Sequence, residues 1–300
     1  MRTVYLGTSE FAVEVLERVA ATPHRPLLVV TRPDRPRGRG RRVQPPPVAE
    51  RAALLGIETV QPESVNSEDA CRAIAAARPE AVLICAYGAL IREPLLSDHE
   101  MLNVHPSLLP RWRGAAPIEW AIEAGDEETG VTIMRPTEEI DAGPMCLQRS
   151  EPIDPEDDYG SLAGRLAALG GELLVEALDS RAPFREQPER GVTYAEKIES
   201  EDRLLDPGLS ADRLERRVRA LRPHVGAYAE LGSGERLGVV RASLALGEDG
   251  IEPGSLEVDG ERLLYGAAQG ALELLEVHPP GRRPMEAAAW LRGRGGTVPG

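Results

Sequence analysis

The chain has 300 residues, a net charge of −14, 42% hydrophobic and 28% charged residues. That composition is ordinary for a globular protein and the length favours two domains, while the acidic sum argues against nucleic-acid binding by the surface as a whole. No apolar run reaches the ~18 residues of a membrane span, the opening MRTVYLG lacks a signal-peptide core, and three scattered cysteines, Cys71, Cys85 and Cys146, fit a reducing cytoplasm without a metal cluster.

TVYLG at 3–7 reads as a buried strand. Ser9 can then cap a helix that carries Phe11, Val15, Leu16 and Val19 on one side. LLVVT at 27–31 is a second apolar run, and TRPDRPRGRGRRVQPPP at 31–47 is a Pro-, Gly- and Arg-rich exposed loop. EAVLICAY at 80–87, LNVH at 102–105 and GVTIM at 130–134 complete the series. Continuous apolar runs separated by helix-length segments predict a doubly wound α/β domain around a parallel sheet. Ligands in such sheets bind at the carboxyl ends of the strands. A helix over about 158–180 closes a first domain spanning 1–182, and 183–207 reads as a polar linker. In 208–300, a helix bearing Leu214, Val218 and Leu221 precedes AYAEL, RLGVVRASL, RLLYGA and ALELLEV, short strands joined by Gly-containing turns. That pattern predicts a small β-barrel.

Asn103 and His105 stand two apart at the end of a strand, so both side chains share a face. Pro106 ends the strand. Asp141 lies 36 residues beyond His105, in a loop after GVTIM, and a βαβ step would bring it beside them. An amide N–H can stabilise an oxyanion, a histidine can move protons near neutral pH, and a carboxylate can orient the imidazole and stabilise its cation. No Ser or Cys is placed as a nucleophile, which favours direct attack by a second substrate on a carbonyl. Taken singly, N-x-H on a strand is a common structural pattern, and Asp141 could be a turn residue. One His and one carboxylate also fall short of a zinc set. His24, His99 and His224 read as isolated surface residues. Gly7 in LGTSEF is not a dinucleotide fingerprint.

These segments resemble the methionyl-tRNA formyltransferase family along most of the chain. The resemblance rests on LGTSEFAVEVL, RPDRPRGRGRR with PPPVAERA, LICAYGALI, LNVHPSLLPRWRGAAPIEWAI, GVTIMRPTEEIDAGPM and YAEKI. It implies a Rossmann-like formyltransferase domain and an OB-like barrel that binds tRNA. It implies transfer of a formyl group from 10-formyltetrahydrofolate to the amine of initiator methionyl-tRNA, in the cytoplasm, by a monomer without a metal. Asn103, His105 and Asp141 fall on the family's catalytic positions. Ser107, Leu108, Leu109 and Pro110 fall on its tetrahydrofolate motif, with Tyr87, Gly88, Leu90, Ile91 and Ile140 around the pterin. Arg39 falls on the insertion-loop arginine that faces the tRNA acceptor end, with Arg35, Arg37, Arg41 and Arg42 beside it. Ser9 replaces the usual proline, Arg32 a common glutamine, and ALRPHVGAYAEL lacks the usual NPWP-like sequence.

Residues 32–42 hold six arginines against Asp34 alone, and arginine clusters pair with phosphate and stack on unpaired bases. Residues 203–300 hold 13 basic and 14 acidic residues, so the acid excess lies in 1–202, with 22 basic and 35 acidic. Arg213, Arg216, Arg217, Arg219 and Arg222 cluster on one predicted helix of the near-neutral half. A sugar-nucleotide formyltransferase would share N-x-H and SLLP but would not need the arginine loop. A formyl-folate hydrolase would need neither loop nor barrel, and a non-catalytic RNA-binding protein would not need the Asn103, His105 and Asp141 set.

Overall fold

The computed structural model describes residues 1–37, 42–232, 234–248 and 250–295. Two compact units emerge: Met1–Gly114 with Glu128–Pro152 and Ala163–Tyr194, and Ala115–Glu127 with Ile153–Leu162 and Ala195–Gly300. This grouping cuts through the sequence-based linker at 183–207, placing its first part with the first unit.

In chain order the first unit carries β1 (Thr3–Gly7), α1 (Glu10–Ala20), β2 (Pro26–Val30), β3 (Arg35–Arg37), β4 (Arg42–Gln44), α2 (Pro47–Leu55), β5 (Glu58–Val60), α3 (Glu68–Ala76), β6 (Ala81–Cys85), α4 (Leu95–Asp98), β7 (Met101–His105) and β8 (Arg113–Gly114). After α5 (Pro117–Ala124), which groups with the second unit, follow β9 (Glu128–Met134), β10 (Met145–Pro152) and α6 (Tyr159–Ser180), most of which belongs to the first. The seven-stranded sheet runs β10-β9-β7-β6-β1-β2-β5. β1 is buried throughout, as expected of a central strand covered on both faces. One face packs Val4, Leu6, Val30, Val82 and Ile84 against Ile74 of α3, Leu95 and Met101, each buried aliphatic contributing ~1.5–3 kcal/mol. Ser9 caps α1, its hydroxyl accepting from Ala12 N–H. On α6, Gly170 faces Val104 so closely that an added Cβ would stand 2.8 Å from Val104 Cγ1. The missing side chain lets α6 press onto β7.

The expected all-parallel order fails at one edge. β7 pairs β9 antiparallel, with Asn103 opposite Met134 and His105 opposite Thr132, and β9 pairs β10 antiparallel. A helical connection between neighbouring strands therefore does not make a βαβ step here. The loop 135–144 leaves β9 beside the amino end of β7, not its carboxyl end, and must fold back to reach His105. The arginine segment, expected as irregular loop, forms a hairpin of β3 and β4, with Arg35 opposite Gln44 and Arg37 opposite Arg42.

The second unit holds α5, α7 (Ala211–Leu221) and an antiparallel sheet, entered after β11 (Tyr194–Ala195). Its strands are β12 (Ala227–Glu230), β13 (Arg236–Leu244), β14 (Leu256–Asp259), β15 (Arg262–Gly266), β16 (Ala271–His278) and β17 (Met285–Glu286), followed by α8 (Ala287–Arg292). The path is β12-β13-β16-β15-β14, with β17 on β16. The four strands expected from the alternating pattern are all present, and β14 and β17 are added. Leu214, Val218 and Leu221 of α7 join Leu237, Val239, Leu263, Leu272, Leu274 and Trp290 in one core.

The arginine cluster on α7 is a structural device. Arg217 grips Glu123 of α5 bidentately, Nη2 to Oε1 at 2.7 Å and Nε to Oε2 at 3.1 Å. Arg213 Nε donates to the same Oε1 at 3.1 Å and Arg216 Nε to the Glu123 carbonyl at 3.0 Å. Arg219 pairs with Glu215 and with the Asp157 carbonyl, and Arg222 with Asp158. All five arginines of the predicted helix cluster are engaged within their own unit, because α5 and 153–162 bring acids and carbonyls to that helix face.

Candidate active site

β7 ends the apolar run MLNVH, with Val104 turned onto α6 and Asn103 and His105 on the other side of the strand. Asn103 Nδ2 lies 3.6 Å from Met134 Sδ, a weak acceptor. His105 is buried. Its Nε2 donates to the Trp112 carbonyl at 2.8 Å. A carbonyl only accepts, so that nitrogen carries a proton, and Nδ1 is left facing Asp141 Oδ2 at 3.5 Å. This separation is an electrostatic contact rather than a formed hydrogen bond. Asp141 Oδ2 also accepts from Gly114 N–H at 3.0 Å. Asp141 (φ 49°) and Trp112 (φ 62°) both hold the left-handed conformation, which costs a non-glycine residue ~1–3 kcal/mol and persists where surroundings enforce it.

Ser107–Pro110 forms a turn locked from β9 and β10. Thr132 Oγ1 donates to the Ser107 carbonyl at 2.7 Å and accepts from Leu109 N–H at 3.2 Å. Gln148 Nε2 donates to the Leu109 carbonyl and to Thr132 Oγ1, both at 2.9 Å. Ser107 Oγ donates to the Arg111 carbonyl at 2.7 Å. Ser107 and Leu109 are buried, and Leu108 and Pro110 are partly exposed. Gly130 of β9 makes room, since a Cβ there would stand 2.6 Å from Leu108 Cδ2 and 2.2 Å from the Arg149 carbonyl oxygen.

Beyond β6 the chain turns through Gly88 at φ 77°. Thr8 Oγ1 donates to the Tyr87 carbonyl at 2.8 Å and Asn66 Nδ2 to the Leu90 carbonyl at 2.9 Å. The Tyr87 ring is buried, burial holds its phenol above the usual range, and its Oη has no partner among the described residues. Leu90 is 55% and Ile140 51% exposed, while Ile91 is half-buried. Burial pushes the Cys85 thiol up to about 12, so no thiolate nucleophile forms there near neutral pH.

Arg35 and Arg42 are exposed on the hairpin, and Arg35 pairs with Glu63 at 2.9 Å. Arg37 lies on β3, and Arg39 and Arg41 fall outside the described residues. His24 is not a surface residue: it is buried, with Nε2 2.8 Å from Asp179 Oδ1. His99 is half-buried. His224 is not isolated, since it stacks on Tyr159 at 3.7 Å and pairs with Glu119.

Trp112, Gln148, Gln187 and Thr193 are not singled out by any pattern in the sequence. Thr132 carried a signal, as a hydroxyl inside the apolar strand GVTIM. Gln187, within the expected linker, carried none. Its Nε2 donates to the carbonyls of Asp141 and Gly143 at 2.7 and 2.9 Å. Among the described residues no group of three or more His, Cys, Asp or Glu could hold a metal ion, and no helix is long and apolar enough to cross a membrane.

The sheet and the cluster at the end of β7 define a class: residues 1–178 match the formyl transferase family model and 197–295 the model for the formyl transferase C-terminal domain. The methionyl-tRNA formyltransferase of Halorhodospira halophila is 42% identical over 100% of this chain and 98% of its own length. That of Methylococcus capsulatus is 43% identical over 97% of this chain and 96% of its own length. The chain belongs to the methionyl-tRNA formyltransferase family. A solved structure of methionyl-tRNA formyltransferase from Clostridium thermocellum shares the fold, with TM-score 0.59 and 14% identity over 83% of this chain and 95% of that one.

Proposed function

We propose that this chain transfers the formyl group of 10-formyltetrahydrofolate to the free amino group of initiator methionyl-tRNA, for translation initiation, as a cytoplasmic monomer that needs no metal. The observation that carries the site assignment is the His105–Asp141 pair beside Asn103 at the end of β7. The neutral amine attacks the formyl carbon directly. Asn103, whose amide among the described residues meets only a thioether, donates to the developing oxyanion, a contact worth ~2.7–4 kcal/mol in other oxyanion sites. The amine must lose a proton and N10 of the folate must gain one; this transfer is assigned to His105 through Nδ1, the ring nitrogen with no formed hydrogen bond. Asp141, 3.5 Å from Nδ1, orients the imidazole.

The residues suit a flat heteroaromatic donor. Exposed Leu90 and Ile140 offer apolar contact. Each carbonyl of Tyr87 and Leu90 keeps a second lone pair. Leu108 and Pro110 supply the exposed part of the Ser107–Pro110 turn. Arg35, Arg37, Arg39, Arg41 and Arg42 are assigned to the tRNA acceptor end. The domains are 1–182 for catalysis, 183–207 as connector and 208–300 for tRNA.

The test gives the purified protein 10-formyltetrahydrofolate with charged initiator tRNA or with an amino sugar nucleotide. Formylation of the aminoacyl-tRNA is expected. Formylation of the sugar alone would overturn the assignment, and free formate without acceptor would make the protein a hydrolase. Elution on size exclusion at the mass of one chain, 32.4 kDa, checks the monomer.

A further inference from the structure

The segment 187–193 reads as a connector, yet it holds both arms of the site. Gln187 Oε1 accepts from Arg113 Nε at 3.1 Å and Nη2 at 2.9 Å. Arginine only donates, so this contact fixes the amide's orientation and turns Nε2 toward the carbonyls of Asp141 and Gly143. Arg113 is buried and also stands 3.5 Å from Glu139 Oε1, in the same loop. Six residues further, Thr193 Oγ1 accepts from Trp112 N–H at 2.9 Å and the Thr193 carbonyl accepts from Arg113 N–H at 2.9 Å. The Trp112 carbonyl is the acceptor for His105 Nε2. One nitrogen of His105 is therefore held by a peptide that Thr193 clamps, and the other faces a carboxylate whose loop Gln187 clamps. Both clamped residues, Trp112 and Asp141, sit in left-handed conformations that need enforcing. The loop 135–144 leaves its hairpin at the far end of β7 and needs an outside anchor to bring Asp141 back.

We infer that Gln187 and Thr193 are positioning residues for the formyl-transfer step, setting the His105–Asp141 geometry from a segment that touches no reacting atom. This rests on the site assigned under the proposed function. A carboxylate at 187 keeps the Arg113 pair but has no hydrogen to donate, and it faces two carbonyl oxygens.

The test compares full-length wild type with Gln187→Glu, Thr193→Val, Thr193→Ser, Asp141→Asn and the double variant Gln187→Glu/Asp141→Asn. Gln187→Glu and Thr193→Val are expected to lower kcat by about 10- to 100-fold, the scale of a displacement near 1 Å, with KM for donor and tRNA within about two-fold of wild type. Thr193→Ser restores kcat, because it keeps the accepting hydroxyl. The double variant falls no further than Asp141→Asn alone, since the two act as one unit. If Asp141→Asn is crippled while Gln187→Glu turns over like wild type, or if the two losses multiply, the positioning role is overturned and the active site stands. If Asp141→Asn itself turns over normally, the site assignment fails first. A thermal melt on each variant separates lost positioning from lost folding: a Gln187→Glu protein that melts early and loses kcat and KM together overturns the inference.

Discussion

Glu123 is 3% exposed and Arg217 6%, so their pair is a buried one, and Glu123→Ala isolates the charge it leaves behind. Among the described residues Arg217 would keep only its Nη1 bond to the Leu204 carbonyl, at 2.9 Å. Breaking a buried pair from one side costs about 3–5 kcal/mol, because an uncompensated charge remains in low dielectric. Arg213, with a side chain 45% exposed, adds little, as solvent already screens it. At roughly 2–4 °C per kcal/mol for a unit of this order of size, Tm of the second unit's transition should fall by on the order of 10 °C. Calorimetry and a denaturant melt on the full chain read this directly. Replacing both partners with apolar residues, Glu123→Leu with Arg217→Met, should recover most of the loss, since the pair's own net contribution is small once desolvation is counted. A Glu123→Ala protein within about 1 kcal/mol of wild type, with unchanged cooperativity, would refute the assignment of these arginines to the fold and reopen an RNA-facing role for them.

His105→Ala and Asp141→Asn should each lower kcat by about 100-fold or more, measured by formylation of charged tRNA in single turnover, and near-normal turnover in both would move the active site elsewhere. Asn103→Ala should cost about 100- to 1,000-fold in kcat with donor affinity kept. Replacing Arg42 with Ala should weaken tRNA binding, with the salt dependence losing on the order of 0.7 in slope for each phosphate contact removed; equal loss of folate binding would mark the hairpin as structural. Gly130→Ala should destabilise the first unit and raise KM for the donor, because its Cβ would strike the Arg149 carbonyl and Leu108.

The legible part of the site was local. Asn103 and His105 share a face because a strand alternates sides, and Pro106 marks its end whatever the rest of the chain does. Ser9 caps α1, Leu162–Leu178 mark the inner face of α6, and the alternating runs after 226 mark strands, all through contacts between residues close in sequence. Resemblance in seven segments then points to formyl transfer.

What periodicity could not report was pairing between distant segments. An apolar strand looks the same whether its neighbour runs parallel or antiparallel, so GVTIM was read into a βαβ step, while the register Asn103–Met134 is antiparallel. Arginines on a polar helix look the same whether they meet water, RNA or a buried glutamate, and only α5 lying against α7 shows Glu123 among them. The polar stretch around Gln187 has the composition of a linker, and its two bonds to the Asp141 loop exist only in three dimensions. The amino-acid sequence by itself determined which residues could do the chemistry and on which strand two of them stand. Tertiary structure decided how Asp141 reaches His105, because that depends on a folded-back loop and on donors supplied from more than 40 positions away.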